Sequence, residues 1–179
     1  MNRLAGGLVG LALALFVVPA RGQDALVETA QGSFVIHLLP EVAPLHVKHF
    51  VQTAKSGGFD GTTFHRIIPH GIIQGGDPLS KDPKKAALYG TGGLGVLKAE
   101  FSPRPMVRGS VAAVLRPRQP DSGGTQFFVC LFDQPSLTGQ YTIFGEVTEG
   151  MDVADKIGET PVVGDKARDR VEMKVTIRP

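Results

Sequence analysis

The sequence predicts a mainly β domain, an antiparallel sheet closed into a barrel with two helices over its ends. Three observations predict it. Apolar residues recur with a period of two in several short segments. Only two segments carry a helical spacing. Strand-like and helix-like segments do not alternate in a βαβ rhythm, so a parallel sheet is not indicated.

The chain has 179 residues. It opens with a basic head, Met1-Asn2-Arg3, then an apolar run from Leu4 to Val18, then the small residues of Ala20-Arg21-Gly22. This is the form of a secretory signal peptide over residues 1–22, cleaved after Gly22. The run is short for a membrane span, which needs about 20 apolar residues. Residues 23–179 are expected to form a single domain, exported to the periplasm or secreted, and not membrane-bound once the leader is removed. They are long enough to bury roughly 68–70% of their unfolded surface in one core.

The whole chain carries 19 Lys and Arg against 17 Asp and Glu. Cleavage removes Arg3 and Arg21 and no acid, which leaves 17 of each. A mature charge near zero gives no footing for nucleic acid or an anionic membrane as partner. The single cysteine, Cys130, has no partner for an internal disulfide and reads as a small buried residue in a strand.

Along the domain, Ser33 to Leu39 alternates, with Phe34, Ile36 and Leu38 on one face and Val35, His37 and Leu39 on the other. Val47, Phe50, Val51 and Ala54 form one face of a helix, with Pro44 suited to its first turn and Gly57-Gly58 to its end. Asp60-Gly61 marks a turn before a strand at Phe64. Residues 78–97 read as loop, strands are expected at 107–115, 126–132 and 141–147, and a short helix fits Met151 to Ile157, stopped by Gly158. Val171, Met173, Val175 and Ile177 alternate as a closing strand.

Chemistry is carried by two motifs, Phe64-His65-Arg66-Ile67-Ile68-Pro69 followed by Gln74-Gly75-Gly76-Asp77, and Gly124-Thr125-Gln126-Phe127-Phe128-Val129. Arg66 stands inside an apolar, β-branched run, where a charge is costly unless it has a task. Period-two spacing puts Phe64, Arg66 and Ile68 on one face, Ile72 and Gln74 on one, and Gln126, Phe128 and Cys130 on one. A groove lined by these segments would hold a guanidinium, two amides and an aromatic ring. It contains no nucleophile–base pair and no metal set, so it suits peptide binding with one placed charge rather than covalent chemistry. His46 and His49 lie at i, i+3 without a third ligand and read as packing or solvated histidines. Gly90-Thr91-Gly92-Gly93-Leu94-Gly95 matches G-x-G-x-x-G but sits in no βαβ unit and reads as a loop. Lys81, Lys84 and Lys85 read as a solvated cluster.

These motifs, with Gly32-Ser33-Phe34, Ala43-Pro44, Ala99-Glu100-Phe101, Arg108-Gly109 and Phe144-Gly145, resemble the cyclophilin family of peptidyl-prolyl cis/trans isomerases over nearly all of the mature chain. The resemblance implies a closed eight-stranded antiparallel barrel capped by two helices, no cofactor, a monomer, and proline-containing segments of folding proteins as partners. It implies Arg66 as the catalytic arginine, Gln74 and Gln126 as amides that hold substrate backbone and orient the arginine, and Ile72, Phe128 and Leu137 as walls of the proline pocket. Leu115 and Arg116 would lie along the peptide backbone, Tyr141 would stand where many members carry histidine, and His65 would flank the site. The alternative is a proline-peptide-binding chaperone or assembly module with little turnover.

The chain departs from the family pattern at Gly71 and Ile72, where phenylalanine and methionine are usual, and at Ser136, where cyclosporin-sensitive members carry tryptophan. Arg116 stands where many members carry asparagine. With two aromatic walls missing, cyclosporin-like macrocycles are expected to bind weakly; titration calorimetry checks this, and submicromolar binding would refute it.

Overall fold

A computed structural model describes residues 23–178; the leader expected over residues 1–22 lies outside the described residues. Eleven strands form the sheet: β1 (Asp24–Thr29), β2 (Gly32–Leu38), β3 (Thr62–Thr63), β4 (Arg66–Ile68), β5 (Ile72–Gly75), β6 (Ser110–Ala113), β7 (Phe127–Cys130), β8 (Ile143–Glu149), β9 (Val162–Val163), β10 (Lys166–Ala167) and β11 (Glu172–Arg178). Two helices accompany them, α1 (Pro44–Lys55) and α2 (Met151–Gly158). Short 3-10 turns occupy Pro78–Lys81, Pro83–Leu88 and Pro135–Leu137, so the first two lie inside the segment expected to be loop.

The alternation read from the sequence decides what is buried. In β2, Phe34, Ile36 and Leu38 enter the core, and in β11, Met173 and Val175 do, while Lys174 and Thr176 stay exposed. α1 turns Val47, Phe50 and Ala54 inward. Its N-terminus has no side-chain cap from Ala43. Instead the Glu100 carboxylate accepts from the amides of Leu45 and His46, each at 3.0 Å, and lies 2.6 Å from His46 Nδ1. Burial alone would raise the Glu100 pKa, but these hydrogen bonds outweigh it and hold the carboxyl below its ordinary value. An anion at this end also complements the helix dipole. His46 is thus a buried residue whose ring is held by the Glu100 carboxylate.

All strand pairs are antiparallel, in the order β3-β11-β1-β2-β8-β6-β7-β5-β4-β10-β9. This corrects the expected closed barrel of eight strands: the sheet is one curled sheet of eleven. The physical reason lies at Phe64-His65. Phe64 and Ile67 are both wholly buried in the core, with two residues between them, so the period of two breaks. The run divides there into β3, which pairs with β11, and β4, which pairs with β5 and β10. The same break overturns the expected shared face of Phe64, Arg66 and Ile68: Phe64 points into the core, while Arg66 and Ile68 point out of it.

Six phenylalanines fill the core: Phe34, Phe50, Phe59, Phe64, Phe127 and Phe144. Phe127 meets Phe50, Phe59 and Phe64 edge to face at 5.7, 5.9 and 6.0 Å. Phe127→Ala removes all three contacts, and is expected to cost about 3–5 kcal/mol, read by denaturant unfolding.

Candidate active site

The strands β5 and β7 are buried on both faces. Phe127 and Val129 enter the main core, whereas Phe128 and Cys130 point the other way. There they join Ile72, Ala112, Met106, Leu39 and Ile143 in a second apolar cluster, against which Leu137 and Tyr141 pack. Phe128 meets the Tyr141 ring edge to face at 5.3 Å. Leu137 is delivered by the turn Pro135–Leu137. Ile72, Phe128, Leu137 and Tyr141 are therefore brought together as one apolar wall. Burial raises the Cys130 thiol to about 12, so it is an inert packing group.

Beside that wall runs a chain of polar contacts. Register places Gln74 opposite Arg66 on one side and opposite Phe128 on the other. Arg66 Nε donates to Asp165 Oδ2 at 2.6 Å, and Arg66 Nη1 donates to Gln74 Oε1 at 3.2 Å. Gln74 Nε2 donates to Gln126 Oε1 at 3.0 Å, and Gln126 Nε2 donates to the Gly92 carbonyl at 2.7 Å. The guanidinium is thus gripped along one edge and at one nitrogen, and Nη2 makes no hydrogen bond to the described residues. The Arg66 side chain is 38% exposed, so Nη2 can meet a ligand. Its hydrogen bond holds the Asp165 carboxyl below the ordinary value. Gln126 is wholly buried with both ends of its amide engaged, which suits it to fixing Gln74.

Asp77, also wholly buried, closes the far end of this chain. Its Oδ1 accepts from the Leu79 amide at 2.8 Å, and its Oδ2 from those of Gly90 and Gly92 at 2.6 and 3.1 Å. That carboxylate holds the loop whose Gly92 carbonyl receives Gln126. Asp165 and Asp77 hold the two ends of this chain, and the sequence assigned neither a part in it. Asp77 had a local signal, an acid placed before Pro78 to cap a turn. Asp165 had none: it stands 99 residues from Arg66.

The remaining expected residues lie at two flanks. Leu115, Arg116 and Tyr141 line a groove of 540 Å³, and Arg116 Nη2 donates to the Leu94 carbonyl at 3.1 Å. His65 does not join the apolar wall. It lines a separate cavity of 250 Å³ that also touches Arg66 and Gln74. Burial pushes its imidazole below the ordinary value, so it is neutral at pH 7.

Two of the departures from the family pattern, at Gly71 and Ser136, have local consequences. A Cβ at Gly71 would come 2.9 Å from Ile68 Cγ2 and 3.2 Å from Ile68 O, so a larger side chain there requires Ile68 to shift. Ser136 is exposed in the turn before Leu137 and leaves that side of the wall open.

The arrangement sets an apolar wall beside one guanidinium fixed by Asp165 and Gln74. Comparison with known proteins gives the family. Residues 25–178 match the family described as "Cyclophilin type peptidyl-prolyl cis-trans isomerase/CLD". The chain is 40% identical over 137 residues to a "Probable peptidyl-prolyl cis-trans isomerase" of Brucella suis, covering 74% of this chain and 69% of that protein. It is 38% identical over 149 residues to a "Peptidyl-prolyl cis-trans isomerase" of Helicobacter pylori, covering 80% of this chain and 85% of that one. A crystal structure of a Cryptosporidium parvum cyclophilin type peptidyl-prolyl cis-trans isomerase in the presence of the dipeptide Ala-Pro superposes with a TM-score of 0.79 at 27% identity, covering 88% of this chain and 99% of that one. With the polar chain and the apolar wall in place and the match extending over almost every described residue, the protein belongs to the cyclophilin-type peptidyl-prolyl cis-trans isomerases.

Proposed function

We propose that the protein accelerates rotation about X-Pro bonds in exported proteins after losing residues 1–22, acting as a monomer in the periplasm, and that Arg66 stabilises the twisted amide. The observation that carries the arginine's role is its half-gripped guanidinium, held by Asp165 and Gln74 with Nη2 left over.

Rotation about an amide bond costs about 18–20 kcal/mol because resonance is lost. In the twisted state the proline nitrogen becomes pyramidal and its lone pair becomes basic. A donor aimed at that nitrogen is worth more in the twisted state than in the planar one, which is the condition for catalysis. Ile72, Phe128 and Leu137 offer a surface for the proline ring, and the groove at Leu115 and Arg116 offers a path for the rest of the peptide. Asp165 and Gln74 keep the guanidinium from following the rotating bond, so its charge is in place before the barrier is reached. No proton is transferred, so no titrating base or acid is needed.

The export reading rests on the basic head Met1-Asn2-Arg3, the apolar run Leu4 to Val18 and the small residues of Ala20-Arg21-Gly22. Uncatalysed prolyl isomerisation takes tens to hundreds of seconds and can limit folding, which gives an exported isomerase a task that needs no energy source.

A second reading, a proline-peptide-binding chaperone with little turnover, is favoured by Gly71 and Ser136, which thin the wall. One substitution separates the two. Cis-to-trans isomerisation of a short proline peptide should fall about 10²–10³-fold in Arg66→Ala, with peptide affinity much less affected. Equal rates in mutant and wild type would show that the charge is not catalytic, and absence of turnover in both, with peptide binding retained, favours the chaperone. Gln74→Leu gives a further check on the polar chain. It strips Gln126 Oε1 of its donor inside the protein, and is expected to cost about 1–3 kcal/mol in denaturant unfolding, besides slowing turnover.

A further inference from the structure

We propose that the cavity beside His65 is a second side-chain subsite, which takes the phenol of a tyrosine lying close to the isomerised proline in the client peptide. The proposal rests on the isomerase reading above and adds a sequence preference to it.

The cavity is separate from the apolar wall, yet Arg66 and Gln74 line it. Successive residues of an extended chain advance about 3.3–3.6 Å, so a residue one or two positions from a proline held at Arg66 reaches its mouth. Its volume is 250 Å³, and an engineered apolar cavity of about 150 Å³ already binds benzene. Ala86 and Lys166 at its edge are exposed to solvent, which gives a side chain a way in.

Two features select the occupant. Phe64, Ala86, Ala167 and the Tyr89 ring present carbon, which favours an apolar body. Against that lining His65 Nε2 is a buried polar atom without a partner, in a side chain only 7% exposed. Its Nδ1 lies 3.4 Å from the Thr63 carbonyl, which can only accept. Nδ1 therefore carries the proton of the neutral ring, and Nε2 is a bare acceptor. Gly90 adds no side chain against that acceptor, where a Cβ would sit 3.7 Å from Nε2. The occupant needs an aromatic or aliphatic body and one donor. Phenylalanine and leucine lack the donor, serine and threonine lack the body, and tryptophan carries its donor on a larger two-ring body. The tyrosine phenol supplies both, with its O–H donating to Nε2.

The test uses the purified protein and peptides holding one proline, with Tyr, Phe or Ala placed in turn at each of the two positions on either side of it. Both kcat/KM for isomerisation and Kd by titration calorimetry are measured. At one position Tyr should exceed Ala by about tenfold or more, and should exceed Phe by about two- to tenfold. Ala86→Leu, which fills the cavity from its exposed edge, should bring the Tyr/Ala ratio close to one. His65→Phe should remove the difference between Tyr and Phe. Equal values for the three peptides at every position overturn the proposal, and so does a tyrosine preference that persists in Ala86→Leu. If no peptide is turned over, the isomerase reading fails instead, and the Kd ratios still decide the subsite.

Discussion

Burial of β5 and β7 on both faces is the constraint on which the site depends. A strand with one solvated face could place polar side chains there at little cost, but could not hold them still. Here the inward residues Ile73, Phe127 and Val129 lock the strands into the main core, and the outward residues Ile72, Phe128 and Cys130 are packed as well. The wall of the groove therefore inherits the rigidity of a core, since close-packed side chains resist displacement. Slipping the register by one residue would exchange the two sets, send Phe128 inward and destroy both clusters at once.

The polar chain from Asp165 through Arg66, Gln74 and Gln126 to Gly92 is the second consequence of that packing. Gln74 and Gln126 are buried, so each amide group must be paired, and the pairing leaves each amide one orientation. In such a medium a satisfied network is stiff and a half-satisfied one is costly. Ordering therefore decreases along the chain. The loop end is anchored by the Asp77 carboxylate with three backbone donors, the middle is buried, and the Arg66–Asp165 end is half exposed. Only that last end is free to meet a ligand, and it meets it with a charge whose direction the buried end has set.

Legibility in the sequence followed the length of the pattern. β2, α1 and β11 repeat their periods often enough to be read, and Phe34, Ile36, Leu38, Val47, Phe50, Ala54, Met173 and Val175 are buried as the spacing indicated, while α2 is read as an element without a face. β1 was not anticipated, because it buries only Ala25 and Val27 directly after the leader. β9 and β10 are two residues each, shorter than any period. The barrel count failed where one run, Thr62–Ile68, supplies strands near both ends of the sheet by breaking its alternation at Phe64-His65. Of the expected site residues, Arg66, Gln74 and Gln126 are linked by hydrogen bonds, and Ile72, Phe128, Leu137 and Tyr141 share one cluster. His65 was legible as a neighbour of Arg66, but not as part of a different cavity. Which side of Arg66 it faces is decided by Tyr89 and residues 165–170, distant segments that no local spacing reports.

The two halves of the site share β5 and β7 but are fixed by different contacts, and this bears on the departures at Gly71 and Ser136. The charge is held by strand register, by buried amides and by an acid in the β9–β10 turn; Gly71 meets only the Ile68 end of that register, where its amide donates to the Ile68 carbonyl at 2.9 Å, and the side chains of Arg66, Gln74 and Gln126 hydrogen-bond to neither residue 71 nor residue 136. The wall is held by the cluster around Phe128, to which those two positions would have added apolar surface. Loss of wall area weakens planar and twisted substrate alike, which is uniform binding, whereas loss of the guanidinium weakens the twisted form selectively. A thinner wall with an intact charge is therefore compatible with fast turnover of weakly held peptides. That suits an isomerase whose clients must leave once the bond has turned, because tight holding would itself delay their folding.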